Sequence, residues 1–119
     1  KYFALPLTEI IPVKQKFFDY EAKYTPGASQ EITPARVSAK ETKMMQEASI
    51  EAHQLLGCAG YSRTDFILKN GQAYLLEIDT LPGLTSTSLL PQGAAVAGLI
   101  FYQLLDKIIE SSLAGGSRV

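Results

Sequence analysis

The most restrictive feature of this sequence is the tetrapeptide Lys69-Asn70-Gly71-Gln72, flanked by AGYSRTDFIL (59 to 68) and AYLLEID (73 to 79). Both flanks alternate or run apolar as strands do, and Asn-Gly suits a two-residue hairpin turn, whose positions need positive φ. Side chains two apart on a strand share a face, so Arg63 and Asp65 point together, as do Glu77 and Asp79. Parity decides whether the two sets meet. A strict two-residue turn pairs Lys69 with Gln72 and Thr64 with Glu77, placing Asp65 on the opposite face from Glu77. A three-residue loop or one bulge reverses that. In the reversed register Arg63, Asp65, Ile67, Leu75, Glu77 and Asp79 line one face. Three hard oxygen donors beside a guanidinium are what Mg²⁺ with phosphate requires. A solvated sheet face with cross-strand ion pairs accounts for the same spacing, which leaves both readings open.

The segment after Asp79, TLPGLTST (80 to 87), is rich in turn residues. Gly83 can let backbone N–H groups approach an oxyanion without a Cβ in the way. Ser88 can open a helix, SLLPQGAAVA, with Pro91 tolerated in its first turn. Helix N-termini attract anions, although a serine there is more often only an N-cap. Gly98 separates this stretch from a second helix, LIFYQLLDKIIESSL (99 to 113), expected to dock on the sheet. Upstream, Ser38 with Glu41 forms a capping box, and Met44, Met45, Ala48, Ala52, Leu55 and Leu56 recur at helical spacing until Gly57. Residues 1 to 12 suggest a short strand that starts mid-structure. Residues 13 to 37 show no sustained period and read as a long ordered or semi-ordered loop. The tail at 115 to 119 reads as frayed.

Eleven Lys and Arg stand against twelve Asp and Glu, a formal charge of −1, with no basic run, which argues against nucleic acid as a partner. No apolar stretch approaches the roughly 20 residues that span a bilayer, and no signal-peptide pattern opens the chain. A cytoplasmic location without membrane association is expected. With one cysteine, Cys58, and one histidine, His53, there is no zinc constellation, so any metal falls to carboxylates. His53 reads as an exposed helix residue, Cys58 as a small buried apolar one, and Phe18 and Tyr20 as loop anchors.

Taken together, DYEAKY (19 to 24), LGCAGYSRTDF (56 to 66) and LLEIDTLPGLTSTSLLP (75 to 91) resemble the D-alanine:D-alanine ligases of the ATP-grasp superfamily. The resemblance covers nearly the whole chain in the right order, and its E-x-[N/D]-T-x-P-G-x-T-x-x-S block after an R-x-D strand is highly specific. It implies an α+β fold: the C-terminal part of an ATP-grasp domain, an antiparallel sheet with helices on one face and a long loop over the active-site side. In that arrangement 13 to 37 is the active-site loop, 59 to 79 a metal-binding hairpin and 80 to 91 a substrate and oxyanion loop.

The resemblance further implies ATP and two Mg²⁺ ions, with Mn²⁺ able to substitute, held by Asp65, Glu77 and Asp79. It implies that Arg63 and the Gly83 amide stabilise acyl-phosphate and tetrahedral species, and that Ser88 with the Leu89 amide receives the carboxylate of the second D-alanine. Lys23 and Tyr24 match a mobile loop closing over the site, and Phe17 and Leu76 match positions flanking the adenine. A homodimer serving bacterial cell-wall synthesis is implied for the full-length protein. Asp79 departs from the family, which normally has asparagine there. The upstream substrate domain and the ATP-gripping lysines have no counterpart in these residues, which match about the last third of a ligase and are expected to be inactive alone. The rivals are a D-alanine:D-lactate or D-alanine:D-serine ligase and a non-catalytic nucleotide- or metal-binding module.

Overall fold

A computed structural model describes residues 2 to 12 and 29 to 114. Its elements run β1 (Glu9–Pro12), β2 (Ser29–Ile32), α1 (Ala39–Leu55), β3 (Arg63–Lys69), β4 (Gln72–Asp79), α2 (Leu89–Val96) and α3 (Phe101–Ala114). The α+β class and the antiparallel pairing agree with expectation. The strands are divided between two separate ribbons, β1 with β2 and β3 with β4.

The strand Ser29–Ile32 corrects the reading of 13 to 37 as loop throughout, since it pairs antiparallel with β1 from Glu9↔Ile32 to Pro12↔Ser29. Its sequence, SQEI, is too short and too polar to show a two-residue period; the partner strand supplies the ladder that local propensity does not. Arg36 closes the ribbon's far end with a bidentate pair to Glu9, its Nε 3.1 Å from Oε1 and its Nη2 2.9 Å from Oε2. That pair holds the Glu9 carboxyl below its ordinary range, mainly through the Arg36 side-chain hydrogen bonds.

Helix α1 begins as its capping box dictates. The Glu41 N–H donates to Ser38 Oγ at 3.0 Å and the Ser38 N–H donates to Glu41 Oε1 at 3.0 Å. Gly57, at φ +69°, follows the helix end in the left-handed region where a glycine is least strained. α1 packs on the β3–β4 hairpin, and Met45 and His53 are the helix residues it buries. The buried His53 overturns the expectation of an exposed one: Tyr2 lies over it with ring centroids 5.0 Å apart, and Nδ1 is 2.7 Å from Ser62 Oγ. Cys58 is half-buried rather than buried.

Asn70 (φ 53°) and Gly71 (φ 75°) both take positive φ, the two-residue turn the sequence announces. Lys69 pairs with Gln72 and Phe66 with Leu75, but Asp65 pairs with Glu77, so Leu76 is an extra residue without a cross-strand partner. This is a β-bulge, and it settles the parity. Arg63↔Asp79 and Asp65↔Glu77 face one way, with Ile67 and Tyr74 beyond them. Leu75, opposite Phe66, belongs to the other face, correcting the face expected from a uniform odd register. Thr64, Phe66, Leu68, Ala73 and Ile78, on that other face, are half-buried.

Helices α2 and α3 pack on each other and meet at 105° across Gly98, whose φ is +93°. The principal neighbour of α3 is α2, not the hairpin on which it was expected to dock. Among the described residues no single helix is long and apolar enough to cross a membrane.

Candidate functional site

The open face of the hairpin holds a compact charge cluster. Arg63 donates from Nε to Asp65 Oδ1 at 2.7 Å and from Nη2 to Asp65 Oδ2 at 3.0 Å, while Nη2 stands 3.8 Å from Asp79 Oδ2. The fork geometry of a guanidinium matches a carboxylate in this way. The Asp65 hydrogen bonds raise the Arg63 pKa above its ordinary value, against desolvation, and the Asp79 and Glu77 charges add to them. Glu77 lies opposite Asp65, exposed, and enters no ion pair among the described residues.

Asp79 ends β4 and starts the next turn, since its Oδ1 accepts the Leu81 N–H at 2.9 Å. The loop that follows brings Gly83 against Ser88, so closely that a Cβ on Gly83 would stand 2.8 Å from Ser88 Oγ. A side chain at Gly83 would therefore displace the Ser88 hydroxyl. Ser88 occupies the N-cap position of α2, but its hydroxyl makes no capping bond. It accepts the Thr85 N–H at 3.0 Å and lies 2.7 Å from Thr85 Oγ1. The first N–H groups of α2, beginning with Leu89, have no intrahelical acceptor and are left facing an anion-attracting end. Gln92 braces the loop from α2, donating to the Thr87 carbonyl at 3.1 Å and to Glu31 Oε1 of β2 at 2.6 Å.

The structure thus brings together Arg63, Asp65, Glu77 and Asp79 on one hairpin face, with Gly83 on the loop that leaves it and Ser88 and Leu89 at the start of α2. Leu76 sits at the bulge beside Glu77, 61% exposed. Phe17, Lys23 and Tyr24 lie outside the described residues. Thr85 was not singled out by sequence reasoning, although a threonine three residues before a serine at a helix start is a signal for a side-chain turn.

The donor set suits a hard cation: oxygen ligands only, carried on an open face, with Glu77 not engaged by a cation. Among the described residues, however, no three His, Cys, Asp or Glu side chains converge as metal ligands do. The reason is visible in Arg63, which takes both oxygens of Asp65. The carboxylates fit Mg²⁺ in kind, and a cation entering here competes with the guanidinium.

A family model described as D-ala D-ala ligase C-terminus matches residues 1–110. A D-alanine–D-alanine ligase of Leptospira interrogans is 54% identical over 113 residues, covering 95% of this chain and 32% of the relative. One from Syntrophobacter fumaroxidans is 58% identical over 111 residues, covering 92% of this chain and 36% of the relative. Among solved structures, the Bacillus anthracis D-alanine–D-alanine ligase complexed with ATP superposes at a TM-score of 0.77 with 38% identity, over 95% of this chain and 38% of that one. A D-Ala:D-Ser ligase from Enterococcus faecalis superposes at 0.66 with 38% identity, over 87% of this chain and 29% of that one. The chain spans about a third of the length of the curated relatives it matches.

Proposed function

The chain belongs to the D-Ala–D-Ala ligase C-terminal family, and from that premise we propose that it supplies the phosphate, metal and acceptor-carboxylate end of an ATP-dependent D-alanine:D-alanine ligase. The reaction is ATP + 2 D-alanine → D-alanyl-D-alanine + ADP + phosphate. The carboxylate of the first D-alanine takes the γ-phosphoryl group, and the amine of the second displaces phosphate from that D-alanyl phosphate. The observation that carries this reading is the bulge at Leu76, which puts Glu77 and Asp79 on the face of Arg63 and Asp65.

Asp65, Glu77 and Asp79 are the residues that would hold two Mg²⁺ ions, with Mn²⁺ able to substitute, and the metal would neutralise phosphate charge during transfer. When Asp65 is drawn away, the Arg63 guanidinium keeps its charge and its fork of donors, now free for an acyl-phosphate oxygen. The Gly83 amide adds a donor without a side chain in the path of the tetrahedral species. Ser88 Oγ and the Leu89 N–H receive the carboxylate of the second D-alanine, at the end of α2 where negative charge is favoured. Leu76 offers apolar surface to the adenine, and the family resemblance gives Phe17 the same role and assigns Lys23 and Tyr24 to the closing loop. The parent protein is read as a cytoplasmic homodimer whose dipeptide feeds peptidoglycan synthesis.

The test is D-alanine-dependent ADP release, with Mg²⁺, by the longest native polypeptide containing these residues. The likeness to a D-Ala:D-Ser ligase makes D-serine and D-lactate the competing second substrates to include. Dipeptide formed from D-alanine alone at neutral pH is expected. Preference for D-serine or D-lactate would reassign the acceptor, and ATP binding without release would leave a binding module. Glu77→Gln is expected to abolish Mg²⁺-dependent ATP use with the circular dichroism unchanged; a full-rate variant removes the metal assignment.

A further inference from the structure

The hydroxyl of Ser88 has a partner that the roles above do not use. A serine oxygen offers two lone pairs and one proton. One lone pair takes the Thr85 N–H at 3.0 Å, and Thr85 Oγ1 lies a further 2.7 Å away. The backbone holds the two residues together, because the Ser88 N–H donates to the Thr85 carbonyl at 3.0 Å. If the Thr85 hydroxyl donates its proton to the second lone pair, Ser88 Oγ is saturated as an acceptor and its own proton must point out of the loop. With the opposite polarity Ser88 would use that proton inside the loop and have none for a ligand. Thr87 Oγ1, at 3.5 Å from Thr85 Oγ1, is too distant to divert the Thr85 proton.

We infer that Thr85 is a positioning residue: its hydroxyl saturates Ser88 Oγ and leaves the Ser88 hydroxyl a pure donor toward the carboxylate of the acceptor amino acid. An anionic oxygen selects this polarity, because a charge-assisted hydrogen bond is roughly twice as strong as a neutral one. Gly83 leaves the Ser88 hydroxyl its position, since a Cβ on Gly83 would stand 2.8 Å from Ser88 Oγ. The inference rests on the reading of Ser88 as the receiver of the second D-alanine.

Thr85→Val tests it in the longest native polypeptide containing these residues, since valine keeps the backbone N–H and the side-chain shape and removes only Oγ1. The KM for the acceptor D-alanine is expected to rise about tenfold, with kcat and the KM for ATP within about twofold of wild type. Thr85→Ser is expected to restore it. In a Ser88→Ala background Thr85→Val is expected to add nothing, because both substitutions then act through one bond. An unchanged acceptor KM, an equal loss with and without Ser88, or a parallel rise in the ATP KM that Thr85→Ser does not repair would each overturn it. Should the wild-type polypeptide release no ADP, the ligase reading fails separately. The inference is then decided by whether D-alanine shifts the Ser88 and Leu89 amide resonances in the wild type and not in Thr85→Val.

Discussion

The imidazole of His53 is 6% exposed, bonded through Nδ1 to Ser62 and without a partner for Nε2 among the described residues. Burial disfavours the imidazolium and holds the pKa below the ordinary 6.5. Below that ordinary value the unfolded chain binds a proton that the folded chain refuses, so stability is full above it and falls as pH drops toward the folded pKa. The midpoint of urea denaturation is accordingly expected to fall between about pH 7 and pH 5. His53→Phe should flatten that slope; an identical slope in the variant would assign it elsewhere. Glu9, whose pKa is lowered, acts in a separate window below its ordinary 4.5. None of this was legible locally, because Tyr2 and Ser62 come to His53 from other parts of the chain. Asp79 was legible as a departure from asparagine, and the structure supplies a reason both residues fit: the turn needs one oxygen to accept the Leu81 N–H at 2.9 Å. The added charge of the aspartate faces Arg63 at 3.8 Å.

At the scale of elements, legibility follows the range of the cause. The capping box of α1 and the Asn70-Gly71 turn are written in adjacent residues, and both form as read. The bulge at Leu76 has no such marker, since LLEI carries the same apolar character in either register, and pairing alone decides which residue is extra. β2 was hidden for the same reason, its ladder being supplied by β1. Register grows outward from the turn, so deleting Leu76 should turn the hairpin into a continuous ladder with Glu77 still opposite Asp65 and Asp79 opposite Arg63. Cross-strand nuclear Overhauser effects between 65 and 77 would then persist while ATP affinity drops with the lost apolar side chain. Their disappearance would mean that the turn does not set the register.

The molecule as a whole buries few large apolar side chains among the described residues: Met45 and Leu104 fall below a tenth exposed, while Leu55, Leu81 and Leu113 are near four-fifths exposed. α3 alone presents Phe101, Tyr102, Ile109 and Leu113 to solvent. Apolar surface of this extent belongs against other protein, and the relatives, of which the chain spans about a third, have the length to provide it. In the proposed function the Arg63 face is one wall of a site, carrying carboxylates and anion donors and, among the described residues, no lysine on the hairpin face nearer than Lys69 at its turn end. A site that must grip a triphosphate and exclude water around an acyl phosphate needs an opposing wall. These 119 residues alone are therefore expected to show no D-alanine-dependent ADP release, and to associate with rising concentration through their exposed apolar faces. Sedimentation velocity across a concentration series, with ADP release measured on the same samples, checks both. Measurable ligation by the isolated chain would show that the wall is dispensable, and a monomer at every concentration would show that these faces need no cover.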